Sequence, residues 1–270
     1  MATDPSAADD HWWTLVRGEG PVLATAIHDG HGVRADLRDR FALSPEERLR
    51  EEDPFTGHAI ARAPNRLTAH RSRFEVDLNR DIDSAVYQRP EDCWGLNVWT
   101  EPLDEAAVEA SRLYHRRFYA EVRRVLDEMA QDHPRFVVLD VHSYNHRRGG
   151  PDAEPTPQTD APDINIGTFS MPRDRWAHVV DPLIAELRAF DFMGRRLDVR
   201  ENVAFQGKGE LTRFVHHNWP DQGCAIAFEF KKFFMDEWTG EPNPAELDAM
   251  RRLIRDSVAM LTSLVESRSP

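Results

Sequence analysis

The sequence contains few cysteines and no long hydrophobic run. Cys93 and Cys224 are its two cysteines, and neither belongs to a CxxC pair, so a disulfide framework is not expected and a reducing cytoplasm is the simplest location. No stretch approaches the roughly 18 apolar residues of a membrane span. The acidic start, MATDPSAADDHWW, lacks the apolar segment of a signal peptide. We therefore expect a cytoplasmic protein with no membrane partner.

Basic residues are also scarce relative to acidic ones. The formal net charge is −13, and only Lys208, Lys231 and Lys232 are lysines. Binding to a nucleic-acid backbone needs clustered positive charge, so this composition argues against a nucleic-acid partner. The sequence also lacks a GxGxxG motif and a P-loop, which argues against a common nucleotide-binding protein. The composition leaves the oligomeric state open.

What is present is a chain of 270 residues that is 40% hydrophobic and 30% charged, which is typical of a soluble globular protein. This length suits one large domain. We expect a flexible tail over residues 1–11 and a single catalytic domain over residues 12–270, with Trp12 and Trp13 at its start.

Hydrophobic patterning predicts alternating strands and helices. Strands are predicted at residues 21–30, 73–83, 136–143, 164–170 and 224–230, and helices at residues 44–52, 103–130, 175–192 and 244–266. Residues 149–163 are rich in Pro, Gly and Asp and predict a long loop of the kind that often lies over an active site. The alternation predicts an α/β fold with a mainly parallel central sheet that is flanked by helices.

Polar clusters follow several of the predicted strands. IHDGH ends the first strand, DLNRD follows FEV, DVHSYNH follows FVVL, and AFEFKK lies within or at the end of the last strand. Ligands of open α/β sheets gather outside the carboxyl ends of strands, so these clusters predict a functional site.

The histidines of these clusters are candidate metal ligands. His28, His31 and His142 provide imidazole nitrogens, and catalytic zinc sites combine two or three such ligands with a carboxylate and an open position. Glu52 or Asp53 could supply that carboxylate. Each histidine could instead be a capping or core residue, and His31 could be a solvent-facing turn residue.

Other polar residues could act on a substrate. Glu229 lies in an apolar run, where burial would raise its pKa and suit a general base, although an ion pair with Lys231 or Lys232 would also explain it. Arg80, together with Asn79, could hold a substrate carboxylate, or could form a structural ion pair with Asp77, Asp81 or Asp83. Tyr144 and Arg213 are further catalytic candidates.

The segments SRFEVDLNRDID, VLDVHSYNHR, DINIGT and AFEFKKFFMDE, taken in order, resemble the N-formylglutamate amidohydrolase family over about residues 21–237. That family is related in fold to the zinc carboxypeptidases, so the resemblance implies a three-layer α/β/α fold with a mixed, mainly parallel central sheet of the phosphorylase/hydrolase-like type. The resemblance implies that His28 and His142 are zinc ligands, that Glu229 is the catalytic carboxylate, and that Asn79 and Arg80 bind a substrate carboxylate. His31 stands where the carboxypeptidase HxxE motif has its glutamate, so the acidic ligand is assigned to Glu52 or Asp53.

These observations lead to one main hypothesis and two alternatives. The main one is a hydrolase with one Zn²⁺ (or another divalent ion) per chain, cleaving the amide bond of an N-acyl, N-formylglutamate-like amino acid. Arg213 would assist Arg80, and Arg147, Arg148 or Tyr144 would stabilise the oxyanion. The alternatives are a metallocarboxypeptidase-like enzyme that trims or tailors a peptide, with loop 149–163 admitting it, and a non-catalytic protein that binds a small acid.

Overall fold

The computed structural model describes residues 12–267, so the predicted tail over residues 1–11 lies outside the described residues. Seven strands and six α-helices make up the fold. The strands are β1 (Trp13–Val16), β2 (Val22–Ala26), β3 (Asn65–Ala69), β4 (Phe136–Tyr144), β5 (Ile164–Gly167), β6 (Val199–Glu201) and β7 (Gly223–Lys231). The helices are α1 (Pro45–Glu51), α2 (Thr56–Ala59), α3 (Glu105–Asp132), α4 (Arg173–Ala189), α5 (Glu210–Asn218) and α6 (Pro244–Glu266).

All seven strands form one mixed sheet in the order β1-β3-β2-β4-β7-β5-β6. The four strands β3, β2, β4 and β7 run parallel to one another. Strand β1 is antiparallel to β3, and β5 is antiparallel to β7 but parallel to β6. Because the parallel strands lie at the centre, both of their faces need helices, which explains their nearly continuous apolar sequences.

Two hydrophobic clusters cover the two faces of the sheet. Alternate residues of β4 and β7 pack with α2, α4 and α6 on one face. The intervening residues pack with α3 and α5 on the other. The predicted three-layer architecture with a mainly parallel mixed sheet is therefore confirmed. No described helix is long and apolar enough to cross a membrane.

Most predicted elements are present, and one is wrong. Residues 73–83 form a series of turns rather than a strand. Phe74, Val76 and Leu78 are all buried, so their alternation reflects burial of a folded loop and not a pleated strand. The strand that pairs with β2 on this side is β3, which ends eight residues before Asp77. The sequence did not predict β3, nor the short elements β1, β6, α2 and α5.

The first helix shows how local sequence fixes an element close to the site. Ser44 accepts a hydrogen bond from the Glu47 amide, and the Glu47 side chain accepts one from the Ser44 amide, which forms a capping box. Pro45 follows at the first helical position, where a missing N–H is tolerated. The helix ends at Glu51, so Glu52 and Asp53 follow it in non-helical backbone.

Candidate metal and active site

The carboxyl ends of β2, β4 and β7 meet at one edge of the sheet, because these three strands are parallel neighbours. His28 lies two residues beyond the end of β2, and His142 lies near the end of β4. Glu229 of β7 is the direct register partner of His142. Three of the residues predicted to carry chemistry are therefore brought together by strand pairing.

A group that could hold a metal ion forms here from His28, Asp53 and His142. One ligand atom of each residue lies within 4.8 Å of the others, and all three residues are buried. The Nδ1 atoms of His28 and His142 lie 3.3 Å and 2.9 Å from Asp53 Oδ2. His28 Nδ1 is buried, and despite its closeness to Asp53 it forms no hydrogen bond within residues 12–267. A buried unpartnered nitrogen facing a second imidazole and a carboxylate fits the ligand set of a zinc ion.

Each imidazole is held from its other side by a further carboxylate. His28 Nε2 lies 2.7 Å from Asp77 Oδ1, and His142 Nε2 lies 3.0 Å from Asp140 Oδ2. Thr25 donates a 2.7 Å hydrogen bond to the other oxygen of Asp140. Carboxylates in this position orient metal-binding histidines and fix the tautomer. Both rings therefore direct Nδ1 towards Asp53.

The backbone around Asp53 is anchored at several points. The Asp53 amide donates a 2.9 Å hydrogen bond to the carbonyl of His28, which joins two segments of the candidate metal group. Lys232 is fully buried, and its Nζ donates to the carbonyls of Arg50 at 2.6 Å and Glu52 at 2.7 Å. Phe55 follows with a φ of 70°, a left-handed conformation that bulky residues rarely adopt. These hydrogen bonds and the backbone turn at Phe55 fix the direction of the Asp53 side chain.

Glu52 and His31, the other two candidates for the metal site, lie outside this group and pair with each other. His31 Nδ1 lies 2.6 Å from Glu52 Oε2, and Ser72 donates a 2.5 Å hydrogen bond to Glu52 Oε1. Successive residues of an extended segment point to opposite sides, and Glu52 has extended φ and ψ angles. Only one of the two consecutive acids can therefore face His28 and His142, and it is Asp53.

The electrostatics of the group follow from burial and close pairing. Burial by itself would raise the pKa of Asp53, but His142 and His28 outweigh this effect and hold that pKa well below its usual range. Burial by itself would lower the pKa of His142, but the carboxylates of Asp140 and Glu229 raise it well above its usual range. The group therefore attracts positive charge, whether from a proton or from a metal ion.

Glu229 is 8% exposed and faces the candidate metal group. Burial raises the pKa of Glu229 to about 7, against the opposing effect of His142. The two nearby lysines do not pair with it. Lys231 lies 3.0 Å from Asp163, and Lys232 bonds to backbone carbonyls. A carboxyl group with this pKa can accept and return a proton near neutral pH.

A cavity of about 110 Å³ opens in front of these residues. A neighbouring cavity of about 340 Å³ shares three lining residues with it, namely Asn79, Phe205 and Glu229. Asn79 Nδ2 lies 3.5 Å from His142 Nε2. Loop 149–163 contributes no lining residue to either cavity. The space in front of the candidate metal group suits a small molecule.

Two arginines line the first cavity, and Arg80 is not one of them. Arg73 donates a 2.7 Å hydrogen bond to Asp77, and Arg148 lies 3.1 Å from Glu51. Both guanidinium groups stack on Trp94, at 4.9 Å and 5.8 Å from the ring centroid. Arg80 instead lies 3.7 Å from Asp77 and stacks on Tyr87, which matches the structural ion pair considered for it.

The remaining candidates have separate positions. Tyr144 lines the cavity, but its hydroxyl donates to the carbonyl of Pro162. Arg147 donates to the carbonyl of Pro151 and borders a different cavity. Arg213 pairs with Glu210 on α5 and does not line the cavity at the candidate metal group.

Sequence reasoning did not single out Arg73, Asp77 or Lys232 as functional residues. Asp77 was considered only as an ion-pair partner of Arg80, yet it contacts His28, Arg73 and Tyr87. One available signal was the general rule that a metal-binding histidine has a carboxylate partner. No comparable signal existed for Lys232, because its role depends on the fold around Asp53.

Comparison with known proteins identifies the family and the fold of the chain. The sequence matches the family model described as N-formylglutamate amidohydrolase over residues 20–235. The fold matches the crystal structure of N-formylglutamate amidohydrolase from Ralstonia eutropha JMP134, with a TM-score of 0.75 and 19% identity over 96% of this chain and 99% of that chain. It also matches the gene product Atu2144 from Agrobacterium tumefaciens, with a TM-score of 0.70 and 17% identity over 96% of this chain and 98% of that one. No curated protein matches the sequence. Because the family model covers most of the chain, the protein belongs to the N-formylglutamate amidohydrolase family and is a hydrolase of amide bonds.

Proposed function

We propose that the protein is a zinc-dependent hydrolase of N-acyl amino acids related to N-formylglutamate. One observation carries the proposal: His28, Asp53 and His142 converge beside a buried Glu229 whose pKa is about 7. Zinc suits two imidazole nitrogens and one carboxylate oxygen with a fourth position left open. When bound, the ion supplies polarisation of the amide carbonyl and activation of a water molecule.

Glu229 is the general base of the proposed reaction. In its ionised form it accepts a proton from the attacking water, and it then returns that proton to the leaving amine nitrogen. The carboxyl lies on the wall shared by the two cavities, so an amide bond placed between them would be within its reach. Asn79, on the same shared wall, is placed to donate a hydrogen bond to the substrate.

Arg73 and Arg148 bind the carboxylate of the amino-acid portion. They are the two arginines that line the cavity, and a guanidinium group matches a carboxylate in two hydrogen bonds. Arg73 uses one N–H group for Asp77, and Arg148 pairs with Glu51. Trp94 contacts the faces of both guanidinium groups, so their remaining N–H groups, which lie in the guanidinium plane, would bind the substrate. This assignment replaces Arg80 as the main carboxylate ligand.

The size of the cavities favours a small substrate over a peptide. The second function, a carboxypeptidase-like enzyme that trims a peptide, relied on loop 149–163 opening the site to a longer chain. That loop packs elsewhere, since Ala161 accepts a hydrogen bond from Lys231 and Thr159 accepts one from Arg200. A non-catalytic acid-binding protein would not need a buried base beside a candidate metal group.

A direct assay tests the proposal. Purified protein, stripped with a chelator and reloaded with one equivalent of Zn²⁺, is incubated with N-formylglutamate, N-acetylglutamate, N-formylleucine and a dipeptide, and release of the free amine is measured. We expect zinc-dependent release from the acyl glutamates. Arg148→Ala should raise KM more than it lowers kcat, while Arg80→Ala should change KM less. Equal activity without metal would refute the zinc assignment, and preference for the dipeptide would refute the substrate assignment.

A further inference from the structure

A separate and larger cavity, of about 690 Å³, lies between the end of β7 and the start of α6. It shares only Lys232 with the lining of the candidate active-site cavity. Four acidic residues border it: Asp236, Glu237, Glu241 and Glu246. Apolar surface from Phe233, Met235 and Pro242 forms another part of its wall. The cavity therefore combines negative charge with an apolar wall.

Glu237 is the central residue of this cavity. It is 3% exposed, and its Oε2 accepts a 2.9 Å hydrogen bond from the amide of His146. Its Oε1 is buried and has no partner among residues 12–267, and the same is true of His146 Nδ1. An unpaired oxygen on a buried carboxylate is costly, so such a group indicates a missing donor. Burial lowers the pKa of His146, which favours a neutral ring whose free nitrogen can accept a hydrogen bond.

Neither of the two cationic side chains that line the cavity donates to Glu237 among residues 12–267. Lys232 Nζ donates to two backbone carbonyls, and the Arg147 guanidinium donates to the carbonyl of Pro151. The positive end of α6 is also satisfied, because the Asn243 side chain accepts hydrogen bonds from the first amides of that helix. The unmet need in the cavity is therefore for a positively charged donor.

We propose that this cavity binds the primary ammonium group of a small alkylamine. The ammonium group pairs with the Glu237 carboxylate, and the alkyl chain packs against Phe233, Met235 and Pro242. A divalent metal ion fits less well, because it needs more oxygen or nitrogen ligands than this wall provides. Within the described part of the chain, no set of three metal-ligating side chains forms at this cavity.

Calorimetric titration of the zinc-loaded protein with n-pentylamine, in a phosphate buffer free of amines, tests the proposal. We expect saturable binding of one equivalent. The uncharged n-pentanol, which has the same chain, should bind at least tenfold more weakly, because it cannot replace the charge-assisted hydrogen bond. Equal binding of the two compounds, or no saturable heat with the amine, would overturn the proposal.

Variants locate the binding to this cavity. Glu237→Gln keeps an acceptor for the His146 amide but removes the charge, and it should weaken pentylamine binding at least tenfold. Glu241→Arg places a positive charge at an exposed position of the wall, where folding is not at risk, and should abolish binding. Glu101→Gln, an exposed change of equal charge elsewhere, should have no effect. Unchanged pentylamine binding in Glu241→Arg would refute an amine site. So would Zn²⁺ or Ca²⁺ ions that displace pentylamine from the natural protein and lose their own binding in Glu237→Gln.

Discussion

Replacing Glu229 with Gln should abolish turnover and, in the metal-free protein, increase stability at neutral and alkaline pH. Both effects have one cause. Glu229 is 8% exposed, and burial raises its pKa from 4.5 to about 7, so ionising this side chain in the folded protein is unfavourable. At high pH Glu229 is nevertheless ionised in the folded protein, and this buried charge lowers the stability of the folded state. Glutamine has the same shape and never ionises.

The magnitude follows from the pKa values in the folded and unfolded states. Between pH 4.5 and about 7 the folded protein holds a proton that the unfolded chain has released, so stability falls as pH rises through this range. The contribution is fully present below pH 4.5 and lost above about pH 7. The change corresponds to about 3 kcal/mol. The stability difference between Glu229→Gln and the natural sequence should therefore grow by about 3 kcal/mol between pH 4.5 and pH 8.

Urea unfolding followed by circular dichroism, with a chelator present, measures this difference at half-unit steps of pH. Glu101→Gln is the matched control, because it removes an exposed carboxylate, and its stability difference should change little with pH. Turnover of the zinc-loaded Glu229→Gln protein should fall by a factor of about 10² to 10⁴. A stability difference that stays constant with pH would refute the burial of an ionisable carboxyl. Unchanged turnover would separately refute the role of Glu229 as base.

Three further predictions concern the neighbours of this residue and the fold. Asp77→Asn should weaken zinc binding about 10- to 100-fold in competition with a chromophoric chelator, since it removes the carboxylate that orients His28; unchanged affinity would contradict this. His142→Ala should abolish zinc retention in metal analysis, whereas His31→Ala should retain zinc because His31 pairs with Glu52 instead. His216 is 9% exposed, and burial lowers its pKa from 6.5 to about 4, so the contribution of this side chain to stability should rise by about 3 kcal/mol between pH 4 and pH 6.5. Urea unfolding should show the stability difference between the natural sequence and His216→Gln changing by that amount over this range, and a difference that stays constant would exclude the burial of a neutral His216.

The central strands were predictable from the sequence because they are buried on both faces. Their apolar runs, such as FVVLDV and CAIAFEF, need no pairing information to be recognised. Strands at the edge of the sheet or next to it carry a weaker signal. Strand β6 has three residues, and β3 alternates buried and partly exposed positions over five. For residues 73–83 the sequence predicts a strand that does not form. Buried side chains at alternate positions of this folded loop give the same pattern as a strand.

The candidate site was predictable in part, for a related reason. His28, His142 and Glu229 each follow or end a strand that could be recognised, so their convergence followed from parallel pairing alone. The choice between Glu52 and Asp53 could not be made in this way. It depends on which side of an extended backbone faces the sheet, and that is fixed by the bond from Asp53 to His28 and by the contacts of Lys232. Neither interaction can be recognised from the spacing of residues in the sequence.

The charges buried around the candidate metal group give an independent reason for a divalent ion. Asp53, Asp77 and Asp140 are three buried carboxylates in contact with two imidazoles. Arg73 and Arg80 both pair with Asp77, so Asp53 and Asp140 are the two carboxylates of this set that pair with no guanidinium group among residues 12–267. Buried charges that stay uncompensated are strongly destabilising, and a doubly charged ion would balance these two. In the metal-free protein a proton on His142 supplies only part of that compensation, which is consistent with its raised pKa. The same acids that orient the histidines would therefore also set the charge of an ion bound by this group.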